Sequence, residues 1–451
     1  MKYETKRQIK LFFPICLETL CFMLAGMVDT LMLSSVSDEA VGAVGTANTY
    51  INMFIMMFAV ITTGMNAVMA QYIGAGRPGV AFQAKQIGLT FNIILGTGLS
   101  LFMFFFSGNL LDAIGIASGL HEYAKGYLEI VGSFTFINAS LQIYSGYLRS
   151  FGHTKQPLLG TLSANILNII LNSIFLFYFH YGVIGVAIAT VISRILNLTI
   201  VVICSKKLIH AGENPERIKN LDIVKMILKV GLPSAMESFM YSLSMTLIVK
   251  FLNTLGDSGI HVTARAYAIQ ICNFANIISL GLAQANAIMT GWRIGAKQFE
   301  ECDKATKKSA ILAVCISAGV ETVFALLSGI IVGIFTDDPM MISLVSKLLY
   351  IDIILEIGRA TNIVYVNALK ASGDAIFPSV MGMIFMLSVA AGGTWIFGVQ
   401  MGMGAVGAYI GMASDECIRA VAMYFRWKTG KWRNHGLVKP SINQTSNAPA
   451  A

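Results

Sequence analysis

Twelve apolar runs, each about the ~20 residues a helix needs to cross a bilayer, alternate with short polar breaks along the chain. They fall roughly at 9–34, 45–73, 86–108, 123–146, 157–179, 183–205, 224–254, 262–290, 308–333, 345–368, 378–398 and 403–425. Runs longer than the minimum predict tilt, or helix that continues beyond the lipid. Strand-like alternation is absent, which argues against a β-barrel. The pattern predicts an all-α integral membrane protein with twelve transmembrane helices.

The pattern also repeats. "YLRSFGHTKQP" (147–157) returns as "ALKASGDAIFP" (368–378), pairing Leu148 with Leu369, Arg149 with Lys370, Gly152 with Gly373 and Pro157 with Pro378. The same spacing relates "IGA" at 73–75 to "IGA" at 294–296, and "PICLE" (14–18) answers "PSAME" (233–237). Matches along the whole chain at a nearly constant offset indicate two six-helix bundles of one fold. Six is even, so both halves enter the membrane in the same direction, as parallel repeats. The expected organisation is an N-terminal lobe over 1–210, a connector over 211–224, a C-terminal lobe over 225–435 and a disordered tail over 436–451. Pro14, Pro233, Pro157 and Pro378 are expected near helix starts, where proline is tolerated.

Composition sharpens this picture. Of 451 residues, 55% are hydrophobic and 12% charged, against about 25% charged in soluble domains, and mean hydropathy is +0.69. The net charge of +8 does not mark a nucleic-acid face. Most Lys and Arg fall in alternate connectors and at the two ends, which places both termini in the cytosol of a cell-membrane protein. Seven cysteines without a CxxC predict packing, with no disulfide framework and no zinc site.

Against this apolar background the charges inside the spans stand out. Asp29, in "LAGMVDTLMLSS", costs on the order of 2.5–3.5 kcal/mol if ionised in a lipid-facing helix. It is therefore expected to face a cavity or a partner. A bound cation or a proton removes the cost; a hydrogen bond that merely braces a neighbouring helix is the plainer reading. Asn165, Asn168 and Asn172 form one polar stripe on span 5, and Thr190 follows in span 6.

The C-terminal half holds no acid at the position equivalent to Asp29. It carries Glu237 in span 7, Glu356 and Arg359 in span 10, and Asp415, Glu416 and Arg419 in span 12. Glu356/Arg359 (i, i+3) and Asp415/Arg419 (i, i+4) can neutralise themselves on their own helices. These groups read either as an ion-pair network or as a second acidic, substrate or proton site. Glu18, on a helical face similar to that of Asp29, is a candidate second acid of the same cleft. Glu129, Glu321 and Arg194 stay open in role. Methionines crowd span 2 (Met53, Met56, Met57, Met65, Met69), either as core filling or as a deformable binding wall.

Taken in order, "MVDTLMLSS", "AVGTAN", "GMNAVMAQYIGAGR", "GYLRSFGHTKQP", "NILNIILNSIFLF" and "GVIGVAIATVISR" resemble the multidrug and toxic compound extrusion transporters from Pro14 to about Trp432. The resemblance implies two lobes around a central cleft and export of organic compounds against inward Na+ or H+ flow. It also implies a cation site at Asp29, Asn168, Asn172 and Thr190, which would hold Na+ where Na+ is the coupling ion. One branch of the family has an aspartate where this chain has Asn172, so this site keeps a single carboxylate among neutral oxygens. Another carries an acid where this chain has Tyr241. The expectation is a monomeric secondary antiporter for small, amphipathic organic cations, embedded in the bilayer, with no cofactor beyond the coupling ion. A flippase for a lipid-linked or oligosaccharide substrate is the alternative, and a membrane-embedded enzyme a more distant one. No HExxH, phosphate loop or nucleophile–base signature is present.

Overall fold

The computed structural model describes residues 2–439 apart from 115, 117, 211–215, 257 and 258. Every apolar run is helical. In the first half these are α1 (Lys2–Ser34), α2 (Asp38–Gly74), α3 (Pro78–Ile114), α4 (Ser118–Ser133) with α5 (Thr135–Ser150), α6 (Lys155–Ser173) and α7 (Gly182–Leu208). The second half supplies α8 (Asn220–Asn253), α9 (Ile260–Gly295), α10 (Phe299–Leu326) with α11 (Ser328–Gly333), α12 (Pro339–Ser372), α13 (Ile376–Phe385) and α14 (Gly404–Lys428).

Span 4 breaks at Phe134, where ψ leaves the helical range and the Thr135 hydroxyl donates to Gly132 O at 2.7 Å. α6 and α13 both run on as wider π-helical turns, over Ile174–Tyr178 and over Met386–Ala391 and Thr394–Gln400. Such turns accommodate an extra residue without ending the helix.

Eight of these helices are long and apolar enough to cross a membrane by length and composition. The other four spans are the broken one and the three, α8, α12 and α14, that carry acids. There the structure resolves the conflict by burial: Glu237, Asp352, Glu356, Asp415 and Arg419 all turn inward, as intramembrane charges must. Apolar side chains face outward instead, with Phe102, Phe104, Phe105 and Phe106 of α3 exposed.

The helices form two compact units. One spans Phe13–Gly231 and takes in Lys439; the other joins residues up to Phe12 to Leu232–Val438. The divisions fall inside α1 and α8, next to Pro14 and Pro233. Those prolines are helix-interior and not near helix starts as expected, because α1 begins at Lys2 and α8 at Asn220, well before the hydrophobic stretch. Pro157 and Pro378 do lie at the starts of α6 and α13. The first turns of α1 belong to the second unit, where Gln8 Nε2 donates to Ser309 Oγ at 2.6 Å and Arg7 lies over the Trp292 ring.

The repeat is visible in the backbone. Gly152 and Gly373 occupy the left-handed region (φ 84° and 92°) and turn the chain after equivalent spans, a conformation other residues rarely adopt. The expected tail over 436–451 lies outside the described residues beyond Lys439, as does the connector over 211–215.

In the first unit, α2 and the start of α8 touch backbone to backbone. A Cβ on Gly64 would stand 2.0 Å from Ile227 O, and one on Gly231 1.8 Å from Val60 O. Gly64→Ala or Gly231→Ala is expected to cost about 1–3 kcal/mol of overpacking. Thermal unfolding in detergent checks this, with Gly26→Ala as the control, since a Cβ there meets nothing within 4 Å.

Candidate functional site

Asp29 sits late in α1 and turns toward α6. Asn172 Nδ2 donates to Asp29 Oδ1 at 2.7 Å and to Asn168 Oδ1 at 3.1 Å. The stripe on α6 thus carries a hydrogen-bonded chain from Asn168 through Asn172 to the carboxylate. Asn165, its third member, donates to Cys21 O at 2.9 Å and braces α1. The Thr190 hydroxyl donates back to Val186 O at 2.8 Å, which satisfies its proton and leaves oxygen lone pairs free to accept.

These groups surround a cavity of about 460 Å³ inside the first unit, lined by Asp29, Asn168 and Thr190. Asn172 is fully buried behind Asp29, and its Oδ1 has no hydrogen-bond partner. Sequence reasoning missed most of the rest of the lining: Asn48 and Asn52 of α2, Asn138 and Gln142 of α5, and Ser193 and Asn197 of α7. Each pair is spaced one turn apart within an apolar span, the same signal that exposed the α6 stripe. Tyr127 donates its hydroxyl to Asn48 Oδ1 at 3.4 Å, and Phe22, Ile55 and Leu141 supply apolar wall. Arg194, whose role the sequence left open, lines the cavity. Asn172→Leu removes the donor to Asp29 and the link to Asn168. Gradient-driven transport is expected to fall while the fold survives, checked by efflux from vesicles alongside thermal unfolding.

Glu18 is not brought to this cavity. It is buried and paired with Arg149 Nη2 at 2.7 Å. Its repeat partner does the same: Glu237 pairs with Lys370 Nζ at 2.8 Å and accepts from Ser379 Oγ at 2.9 Å. Each pair ties the first helix of its half to the end of the fourth span. The methionines of span 2 divide, with Met65 and Met69 buried and Met53, Met56 and Met57 exposed, and none of the five is among the residues lining this cavity.

The remaining charges of the second half form a separate network. Glu356 accepts from Ser279 Oγ at 2.7 Å and from Arg359 Nη1 at 3.2 Å. Asp415 is held by Arg419 at 3.0 Å, and Glu416 meets Arg419 at 2.8 Å and Asn362 at 2.9 Å. Two acids extend the cluster. Glu321 on α10 accepts from Cys272 Sγ at 3.4 Å, and Asp352, which the sequence reading passed over, lies within 4.8 Å of both. Each keeps one buried carboxylate oxygen without a partner. Glu129 stays apart, accepting from Ser107 at 3.0 Å.

The MatE family model matches this chain twice, over residues 14–174 and 233–404. Each match opens on one of the repeat-related prolines. The chain belongs to the MatE family. Its relatives include the "Uncharacterized transporter YisQ" of Bacillus subtilis, 33% identical, with 96% of each chain covered. The "Probable multidrug resistance protein NorM" of Thermotoga maritima is 26% identical, covering 96% of this chain and 94% of its own. A MATE crystallised in a bent conformation has the same fold, with a TM-score of 0.85, 22% identity, and 95% and 96% of the two chains covered. This member of the family thus carries an amide-rich cavity holding a carboxylate and, separately, a largely buried network of acids and arginines.

Proposed function

We propose that this MatE protein is a cation-coupled secondary antiporter that exports small amphipathic organic cations. The observation that carries the reading is Asp29, a carboxylate within an apolar helix that faces a drug-sized cavity and is hydrogen-bonded through Asn172 to Asn168. The volume falls in the range of ligand pockets, and the amides and aromatic wall suit a molecule with an apolar body and polar edges. The coupling ion, Na+ or H+, binds as a co-substrate at Asp29, with Asn168, Asn172 and Thr190 as the neutral oxygen donors. For Na+, the Asn172 amide turns its oxygen toward the ion; for H+, Asp29 suffices alone. Occupation of Asp29 removes the counter-charge for the substrate, and the two leave on opposite sides by alternating access.

No ATP-binding motif is present in the sequence, so an ion gradient supplies the energy. The names of NorM and YisQ support export and transport. The lining offers amides, hydroxyls, one carboxylate and one guanidinium, a set that binds rather than reacts. A flippase for phosphate-bearing lipids calls for several cavity bases, and Arg194 is the one base in the lining. The protein works as a monomer in the cell membrane with both termini in the cytosol, and it needs no cofactor.

The test is reconstitution into vesicles loaded with a cationic dye, with Na+ and pH gradients imposed separately. One of the two is expected to drive efflux. Dye movement indifferent to both gradients would overturn the reading.

A further inference from the structure

Three helices of the second unit bring a thiol and two carboxylates together. They are Cys272 on α9, Glu321 on α10 and Asp352 on α12, with one ligand atom from each lying within 4.8 Å of the others. All three side chains are buried, at 3%, 0% and 1% exposure. No CxxC spacing announces the thiol, because its neighbours come from other helices. Cys272 Sγ stands 3.4 Å from Glu321 Oε1, while Glu321 Oε2 and Asp352 Oδ2 have no hydrogen-bond partner. The nearby cations are already engaged: Arg359 hydrogen-bonds to Glu356, and Arg419 pairs with Asp415 and Glu416. The Arg359 charge acts on Glu321 and Asp352 as well, but one guanidinium cannot neutralise three carboxylates.

The repeat shows that the fold does not require these groups. The spacing that pairs Leu148 with Leu369 also pairs Cys272 with Ile51, Glu321 with Ser100 and Asp352 with Val131. Ile51, Ser100 and Val131 are buried in the first unit, so the same fold closes there over two aliphatic side chains and a hydroxyl. Burying two carboxylates in such places is costly unless something pairs with them. Unpartnered oxygens, surplus negative charge and a polarisable sulfur together make a ligand set.

We infer that Cys272, Glu321 and Asp352 form a binding site for a divalent metal ion of the zinc or cadmium type. Thiolate and carboxylate are both ligands of Zn2+. Sulfur favours such ions over hard cations such as Mg2+ and Ca2+, which take oxygen shells. On binding, the S–H bond gives way to a metal–sulfur bond and the proton leaves to solvent. The bound ion fastens α9, α10 and α12 to one another. It is a brace of the second unit and takes no part in transport chemistry, so the inference does not rest on the export reading of the first unit's cavity.

The test is Cd2+ binding to the purified full-length protein, read by the ultraviolet charge-transfer band of a cadmium–thiolate bond and by the unfolding temperature. The wild type is expected to take up one equivalent with that band and to unfold at a higher temperature when loaded. Zn2+ displaces the Cd2+, and a large excess of Na+ does not. Cys272→Ser loses the band although the other cysteines remain. Glu321→Gln and Asp352→Asn weaken binding by about tenfold or more, at least the loss seen when a residue that merely orients a metal ligand is removed. A folded wild type without the band has its acids neutralised by protons instead, which overturns the inference. A band that survives in Cys272→Ser places the metal at another cysteine and does the same. Displacement by Na+ marks a hard-cation site and also overturns it. If Cys272→Ser fails to fold, the two carboxylate variants decide, since each keeps the thiol and removes a buried charge. Undiminished binding in both defeats the inference.

Discussion

Asp29→Asn is expected to abolish gradient-driven efflux, reducing it to the level of protein-free vesicles, while the protein still folds and still fills its cavity. The substitution keeps the side chain's shape and its hydrogen-bonding capacity toward Asn172, 2.7 Å away. It removes the charge that holds a cation and the oxygen that takes a proton. Since the carboxylate lines a cavity and has no buried cationic partner among the described residues, its neutralisation removes a charge from the span without leaving another unpaired. Thermal stability should be unchanged or higher. Loss of transport with retained stability separates a coupling residue from a packing one. If transport persists, coupling has to be sought among the acids of the second half.

The largest stability effect is expected in the second unit. Arg359 reaches Glu356 at 3.2 Å, and the charges of Asp352, Glu356 and Glu416 all act on it. Asp352 and Glu356 are almost wholly buried, at 1% and 0% exposure. Arg359→Met leaves these carboxylates without their counter-charge, which costs about 3–5 kcal/mol when one member of a buried pair is removed. The sign with pH follows from the charges. At neutral pH the surplus is negative and destabilising; protonation on acidification removes it, so the variant should regain stability as pH falls. Glu356→Gln should be milder, because Asp352 and Glu416 still face Arg359. Unfolding temperatures of the three proteins across pH check both statements. Equal stability of Arg359→Met and wild type at neutral pH would show that the network does not hold the bundle.

Much of this was legible before any coordinates. Lipid admits only helices and closed barrels, so without strand-like alternation apolar run length located the spans, and motifs matched at a nearly constant offset, Gly152 and Gly373 among them, announced the repeat. Asp29 was conspicuous for the same reason: a charge in an apolar run must be explained. The stripe of amides on one face of α6 was legible as well, but its partnership with Asp29 came only from the family resemblance. What could not be read was which side of its helix each remaining polar residue faces. Asn48, Asn138 and Asn197 are ordinary amides until three helices pack around one void. Arg194 could have snorkelled as well as turned inward. Glu18 shares a face with Asp29 on α1 but lies close to Arg149, and the ion pair claims it. Asp352 was hidden among isoleucines, and only the approach of α9 and α10 gives it Cys272 and Glu321 as neighbours.

The most direct measurement of the central claim is ion binding to the purified protein. Equilibrium uptake of radioactive Na+, and in parallel the proton release that accompanies substrate binding, would be compared for wild type and Asp29→Asn. The account predicts that one of these signals is present in the wild type, competes with substrate, and is lost in Asp29→Asn. An ion signal that survives the substitution at full strength would contradict it, and would move the coupling site out of this cavity.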